Sequence, residues 1–158
     1  SISESYQLSN PVSYKTESGK QRQYRMFYYT SEWQLHDAAL DWIGSEANSD
    51  EIVATTTPHW LYLKAGLKAV MPPFEADVAS AQRLIDSVPV NYLIVDRLAF
   101  VDISKRYAAP IVQAFPERWE LIYSSGKRGS QIYRRVNSLN DTMSMKVSGG
   151  NVQVSASR

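Results

Sequence analysis

Phe74-Glu-Ala-Asp-Val-Ala-Ser-Ala-Gln-Arg-Leu-Ile-Asp-Ser-Val88, closed by Pro89 and followed by Asn91-Tyr-Leu-Ile-Val-Asp96, is the stretch on which the fold turns. Phe74, Val78, Ala81, Ile85 and Val88 recur at steps of three and four, which puts them on one face of a helix. Pro89 ends that helix, because a proline removes a rung of the hydrogen-bond ladder. Asn91 to Asp96 then reads as a strand. A helix that delivers the chain into such a strand is half of a parallel crossover.

The same alternation extends outward on both sides. Upstream, Glu51-Ile-Val-Ala-Thr55 reads as a buried strand, since its apolar residues are contiguous rather than alternating. Thr57 can cap the helix that follows, Pro58 suits its first position, and Gly66 is placed to end it in a left-handed conformation. Lys68 to Met71 is a short strand. Ser31-Glu32-Trp33-Gln34 has the spacing of a capping box, and Leu35, Ala38, Ala39, Trp42 and Ile43 share one helical face, predicting a helix from Glu32 to about Ala47. Val12, Tyr14 and Thr16, then Glu17-Ser-Gly-Lys20 and a tyrosine-rich run to Tyr29, suit a hairpin.

Downstream, Tyr107, Ala108, Ile111, Val112 and Phe115 predict a helix whose regular part starts near Pro110. Trp119 to Ser124 and Gln131 to Val136 flank Gly126-Lys-Arg-Gly129 as an antiparallel hairpin. Met143, Met145 and Val147 alternate with polar residues, as do Val152 and Val154, so the tail is either a second hairpin or a flexible end. The expected fold is α/β, in three α/β/α layers, with a mainly parallel core sheet extended by an antiparallel hairpin at one edge. It occupies residues 32–136, after an N-terminal extension over 1–31 that can form a hairpin and before the C-terminal hairpin or tail over 137–158.

Composition narrows the function classes. The 158 residues, 44% of them hydrophobic, are enough for one domain with a real core. A net charge of +1 from 17 basic and 16 acidic residues makes no field that would gather a polyanion, so nucleic acid is not an expected partner. The absence of cysteine removes disulfides and thiolate chemistry. The longest stretch without Asp, Glu, Lys or Arg, Ile52 to Leu63, is far short of the roughly 20 apolar residues that span a bilayer. Ser1-Ile-Ser-Glu4 has neither an initiator Met nor a basic stretch ahead of an apolar one, so no signal peptide is expected and the natural chain is expected to start further upstream.

Ligands of open parallel sheets bind beyond the C-terminal strand ends. The loops expected there carry Thr56, Thr57 and His59 after one strand and Asp96 and Arg97 after another. With those strands adjacent, Arg97 and the helix start at Thr57 would hold an anionic group, and Asp96 would orient a sugar hydroxyl or His59. Each residue has a plainer reading too: Thr57 as a cap, Asp96 and Arg97 as a solvated pair, His59 as a structural histidine. No metal site is expected, because His36 and Asp37 are adjacent on a helix and His59 has no partner at metal-ligand spacing. No phosphate loop or nucleophile elbow occurs, and no acid, base and nucleophile converge, which leaves an independent hydrolase or transferase with least support. The aromatics Tyr24, Phe27, Tyr28, Tyr29 and Trp33 suit carbohydrate stacking or a membrane-water interface, against the plainer reading of packing.

Residues from about Trp33 to Val136 resemble the C-terminal extracytoplasmic region of membrane glycosyltransferases related to protein mannosyltransferases and the aminoarabinose transferases of lipid A. The segments that carry this are the helix through Asp41-Trp42-Ile43, Glu51-Ile-Val-Ala-Thr55, Pro58-His-Trp-Leu-Tyr-Leu-Lys-Ala-Gly66 leading to Ala69-Val-Met-Pro72, Asn91-Tyr-Leu-Ile-Val-Asp96, Phe115-Pro-Glu, Leu121-Ile-Tyr123 and Ile132-Tyr133. Lys64-Ala-Gly66 departs from the Thr-Gly-Arg expected there. The resemblance implies a polyprenyl-phosphate-linked sugar donor and a catalytic acidic residue in an early outer loop of a transmembrane part. No catalytic residue, metal or cofactor is therefore assigned within this chain. The implied partners are the transmembrane portion of the same polypeptide and a glycan, lipid or protein acceptor. The implied location is the extracytoplasmic face of the membrane, periplasmic in a Gram-negative cell. The alternative is a free-standing carbohydrate or small-molecule binding module that uses the strand-end crevice.

Overall fold

The computed structural model describes residues 11–25, 29–98 and 102–136, with the backbone alone for 11–14 and 23–25. Phe27, Tyr28 and the tail 137–158 lie outside the described residues, as does the side chain of Tyr24. The elements are β1 (Pro11–Lys15), β2 (Gln21–Arg25), α1 (Ser31–Glu46), β3 (Ile52–Ala54), α2 (Pro58–Ala65), β4 (Lys68–Val70), α3 (Val78–Asp86), β5 (Val90–Val95), a π-helical turn (Ser104–Ala108), α4 (Ala109–Ala114), β6 (Trp119–Ser124) and β7 (Gln131–Arg135). β1 and β2 pair antiparallel as a sheet of their own.

The main sheet has the order β4-β3-β5-β7-β6. β3 is parallel to both β4 and β5, while β7 is antiparallel to β5 and to β6. This is the expected α/β architecture, a parallel core continued by an antiparallel hairpin. The strands alternate between two apolar layers, as the period of two requires. Ala54, Leu93 and Val95 pack with Ala81 and Ile85 of α3 and Ile111 of α4. Val53, Tyr92, Ile94 and Ile132 pack on the other face with Leu40 and Ile43 of α1 and Leu61 of α2.

Several local expectations need correction. The cap of α1 is Thr30, not Ser31, and the Thr30 side chain makes no capping bond; Ser31 Oγ donates to Glu32 Oε2 at 3.2 Å. The inward face of α1 is also rotated from the expected one. Trp33, His36, Asp37, Leu40 and Ile43 are buried, whereas Ala38 is exposed. α3 begins at Val78 rather than near Phe74, because Asp77 caps it by accepting from Ser80 N at 2.8 Å, and Phe74 is left exposed outside the helix. Pro110 lies within a continuous helical stretch. The regular α-helix starts at Ala109, beside Pro110 as expected; what the sequence did not show is the π-turn ahead of it, in which the Ala109 N–H donates to the Ser104 carbonyl five residues back.

Gly66 closes α2 at φ +69°, a left-handed cap that other residues adopt at a cost. Gly44 serves packing. A Cβ at that position would lie 2.9 Å from the Cβ of Ala65, so the bare glycine is what lets α1 and α2 approach.

Candidate functional site at the strand ends

β3 and β5 are neighbours, yet their connections leave for opposite faces, one into α2 and the other towards the π-turn and α4. That divergence opens a crevice at the C-terminal edge of the sheet. Asp96 sits at its centre and is buried. Oδ2 accepts from Thr56 Oγ1 at 2.5 Å, Oδ1 accepts from Leu98 N at 3.2 Å, and its own N–H donates to Ser104 Oγ at 2.8 Å. One residue thus joins the two strand-end loops through its carboxylate and fastens them to the π-turn through its backbone N–H.

On the α1 and α2 side the crevice is filled. The ring of His36, fully buried, lies with Nε2 2.8 Å from Thr57 Oγ1 and Nδ1 2.8 Å from Ser130 Oγ. A neutral imidazole donates through one nitrogen and accepts through the other, so one hydroxyl receives its hydrogen and the other gives one. Burial pushes the His36 pKa down, against the opposing pull of Asp96 and Asp37, and favours that neutral form. Beside it, Asp37 accepts from Tyr29 OH at 2.5 Å and from Trp60 Nε1 at 2.6 Å, and Lys64 Nζ lies 3.4 Å from its Oδ1. Burial, then the bond to Asp37, raises the Tyr29 pKa well above its ordinary value and keeps the phenol protonated. Tyr29, Trp33 and Leu98 form a small apolar cluster against Trp60.

On the α4 side the crevice stays open as a cleft of about 510 Å³ beyond β5. Asp96, Arg97, Lys105, Gln113, Gln131 and Tyr133 contribute its polar lining. Burial raises the Tyr133 pKa, and the charge of Arg97, near the phenol, opposes the rise. Of the residues expected to bind a ligand, Asp96 and Arg97 face this cleft. Thr57 is buried with its hydroxyl on His36, so it caps α2 through its backbone carbonyl and not through its side chain. His59 is exposed on the first turn of α2 and does not line the cleft. Tyr29 and Trp33 are buried, which commits their rings to the interior rather than to a stacking surface.

The residue that sequence reasoning missed is His36. Its signal is the spacing Trp33, His36, Leu40, Ile43, which fits one helical face as well as the stripe through Leu35, Ala38, Ala39, Trp42 and Ile43 does. Ser130 beside an imidazole has the look of a nucleophile and its base. Ser130 is buried, however, and the second ring nitrogen meets a hydroxyl rather than an orienting carboxylate, so this pair fastens the β6–β7 turn to α1. Among the described residues, no group of three or more His, Asp or Glu is placed to hold a metal ion.

No protein-family model and no curated protein matches the chain. Among solved structures, the C-terminal globular domain of an oligosaccharyltransferase from Archaeoglobus fulgidus is similar at a TM-score of 0.44 and 12% identity, over 68% of this chain and 98% of that one. A superposition that loose carries no conclusion about this chain.

Proposed function

We propose that this chain is the C-terminal accessory domain of a polytopic membrane glycosyltransferase that uses a polyprenyl-phosphate-linked sugar. In this reading it lies on the extracytoplasmic face, attached to the transmembrane portion of its own polypeptide, and it shapes acceptor access or stabilises the membrane core. The observation that carries the reading is where the resembling segments fall. They form α1, β3, α2 with β4, β5 and the β6–β7 hairpin, all parts of one α/β unit. The acids that unit buries, Asp37 on α1 and Asp96 after β5, are both engaged in bonds that hold its elements together. Among the described residues no helix is long and apolar enough to cross a membrane, so the reading requires the spanning part to lie elsewhere in the polypeptide. Deleting residues 1–158 from the full-length enzyme tests it. We expect altered acceptor preference or a less stable membrane core; unchanged acceptor choice together with unchanged stability would count against the proposal.

The open cleft favours a second reading, a carbohydrate or small-molecule binding module. Its volume of about 510 Å³ is that of a small-molecule site. Asp96 and Arg97 stand inside it, with Thr57 and His59 on the adjoining connection from β3. Calorimetric titration with sugars, sugar phosphates and nucleotides tests this, and absence of heat with all of them opposes it.

A further inference from the structure

The inference concerns the chemistry of the cleft and rests on the second reading, that the cleft takes a ligand. Two cations reach its mouth from different elements: Arg97 from the loop after β5 and Lys105 from the π-helical turn. Both are exposed, and neither has an ion-pair partner among the described residues. The acid on the same rim, Asp102, lies 3.9 Å from Arg106 instead, and the Asp96 carboxylate is occupied by Thr56 and Leu98. An unpaired guanidinium and an unpaired ammonium lining one cleft suit an anion with several oxygens, which the planar fork and the point charge can grip together.

Deeper in, Tyr133 OH donates to Gln131 Oε1 at 3.2 Å, which leaves the Gln131 amide hydrogens and the phenol lone pairs to a ligand. Gln113 adds an exposed amide from α4. Val95, Leu98 and Val112 give the wall between these groups an apolar surface, suited to the C–H face of a sugar ring. We propose that the cleft beyond β5 binds a phosphorylated, hydroxyl-bearing small molecule of the sugar phosphate class, with Arg97 and Lys105 holding the phosphate and Gln113, Gln131 and Tyr133 reading the hydroxyls.

The test is calorimetric titration of the 158-residue chain with glucose, galactose and mannose 1-phosphates, the parent sugars and inorganic phosphate, at low and high salt. At least one sugar phosphate binds saturably, more tightly than its parent sugar or inorganic phosphate, and more weakly as salt rises. Arg97→Gln and Lys105→Gln each weaken it roughly tenfold or more, without a change in melting, since both side chains are exposed. Gln131→Leu weakens the sugar phosphate and leaves inorganic phosphate binding unchanged. Wild-type affinity in both cation variants would overturn the proposal. So would a parent sugar that binds as well as its phosphate, an outcome that leaves the cleft a neutral-sugar site and the second reading intact. No saturable heat with any soluble compound, and no preference for phosphatidylinositol over phosphatidylcholine vesicles, would remove both. Phosphatidylinositol vesicle binding that Arg97→Gln abolishes, without soluble binding, sustains the same chemistry with a lipid headgroup as its source.

Discussion

His36 and Asp37 are adjacent in the sequence and both buried by α1, but they answer to different physics. Asp37 holds the Tyr29 and Trp60 donors and pairs with Lys64, so Asp37→Ala strands the Tyr29 hydroxyl and the Trp60 indole N–H and is expected to cost about 2–4 kcal/mol in chemical denaturation. Tyr29→Phe alone is expected to cost about 1 kcal/mol, and much less once Asp37 is alanine, because the partner is already gone. A strictly additive double mutant would contradict the shared network. For His36 the prediction is a pH dependence. Burial holds its folded pKa below the ordinary value of about 6.5, so below that pH the unfolded chain takes up a proton that the folded chain does not. Stability therefore falls with acid, by up to about 1.4 kcal/mol per pH unit, until the folded pKa is reached. Urea unfolding of wild type and His36→Gln across pH 7 to 5 checks this: the variant loses that share of the slope, and equal slopes would contradict it.

At the scale of elements, α1 and α2 meet where Gly44 faces Ala65. Helix propensity alone would favour Gly44→Ala by about 1 kcal/mol, but the crowding at 2.9 Å is expected to cost about 1–3 kcal/mol, so the net change destabilises. In an Ala65→Gly background the same substitution should become neutral or stabilising, as thermal melts would show. Thr57→Val separates two roles in the same way: helix content should hold, because the side chain does not cap α2, while stability falls by about 1–3 kcal/mol from the stranded His36 nitrogen. Much of the architecture was legible because it follows from local pattern. The periodic part of α3, the apolar runs of β3 and β5, and the turn between β6 and β7 each announce themselves within a few residues. What was not legible depends on distant partners. The inward turn of His36 rests on Thr57 and on Ser130, which is 94 residues away, and the π-turn before Pro110 belongs to a connection that Ser104 ties back to Asp96. The cleft was half legible: Asp96 and Arg97 follow a strand end, whereas Lys105, Gln113, Gln131 and Tyr133 reach it only through the packing of α4 and β7 beside β5.

For the molecule as a whole, the two apolar layers and the polar tie between them lie, among the described residues, within 29–136. We propose that the folding unit expected over 32–136 also needs Tyr29, whose hydroxyl bonds Asp37. A chain of residues 29–136 is expected to unfold cooperatively near the melting temperature of the full chain, and a chain beginning at residue 32 to melt lower. As proposed, this unit supports a membrane enzyme without supplying its reacting groups, and the decisive measurement is the transfer rate of the full-length enzyme carrying His36→Gln or Asp37→Asn, each confirmed folded by its melting curve. We expect a kcat within a few-fold of wild type for both, since both side chains are buried in bonds within the domain. A folded variant whose kcat falls roughly a hundredfold or more, the loss expected when a general acid or base is removed, would contradict it.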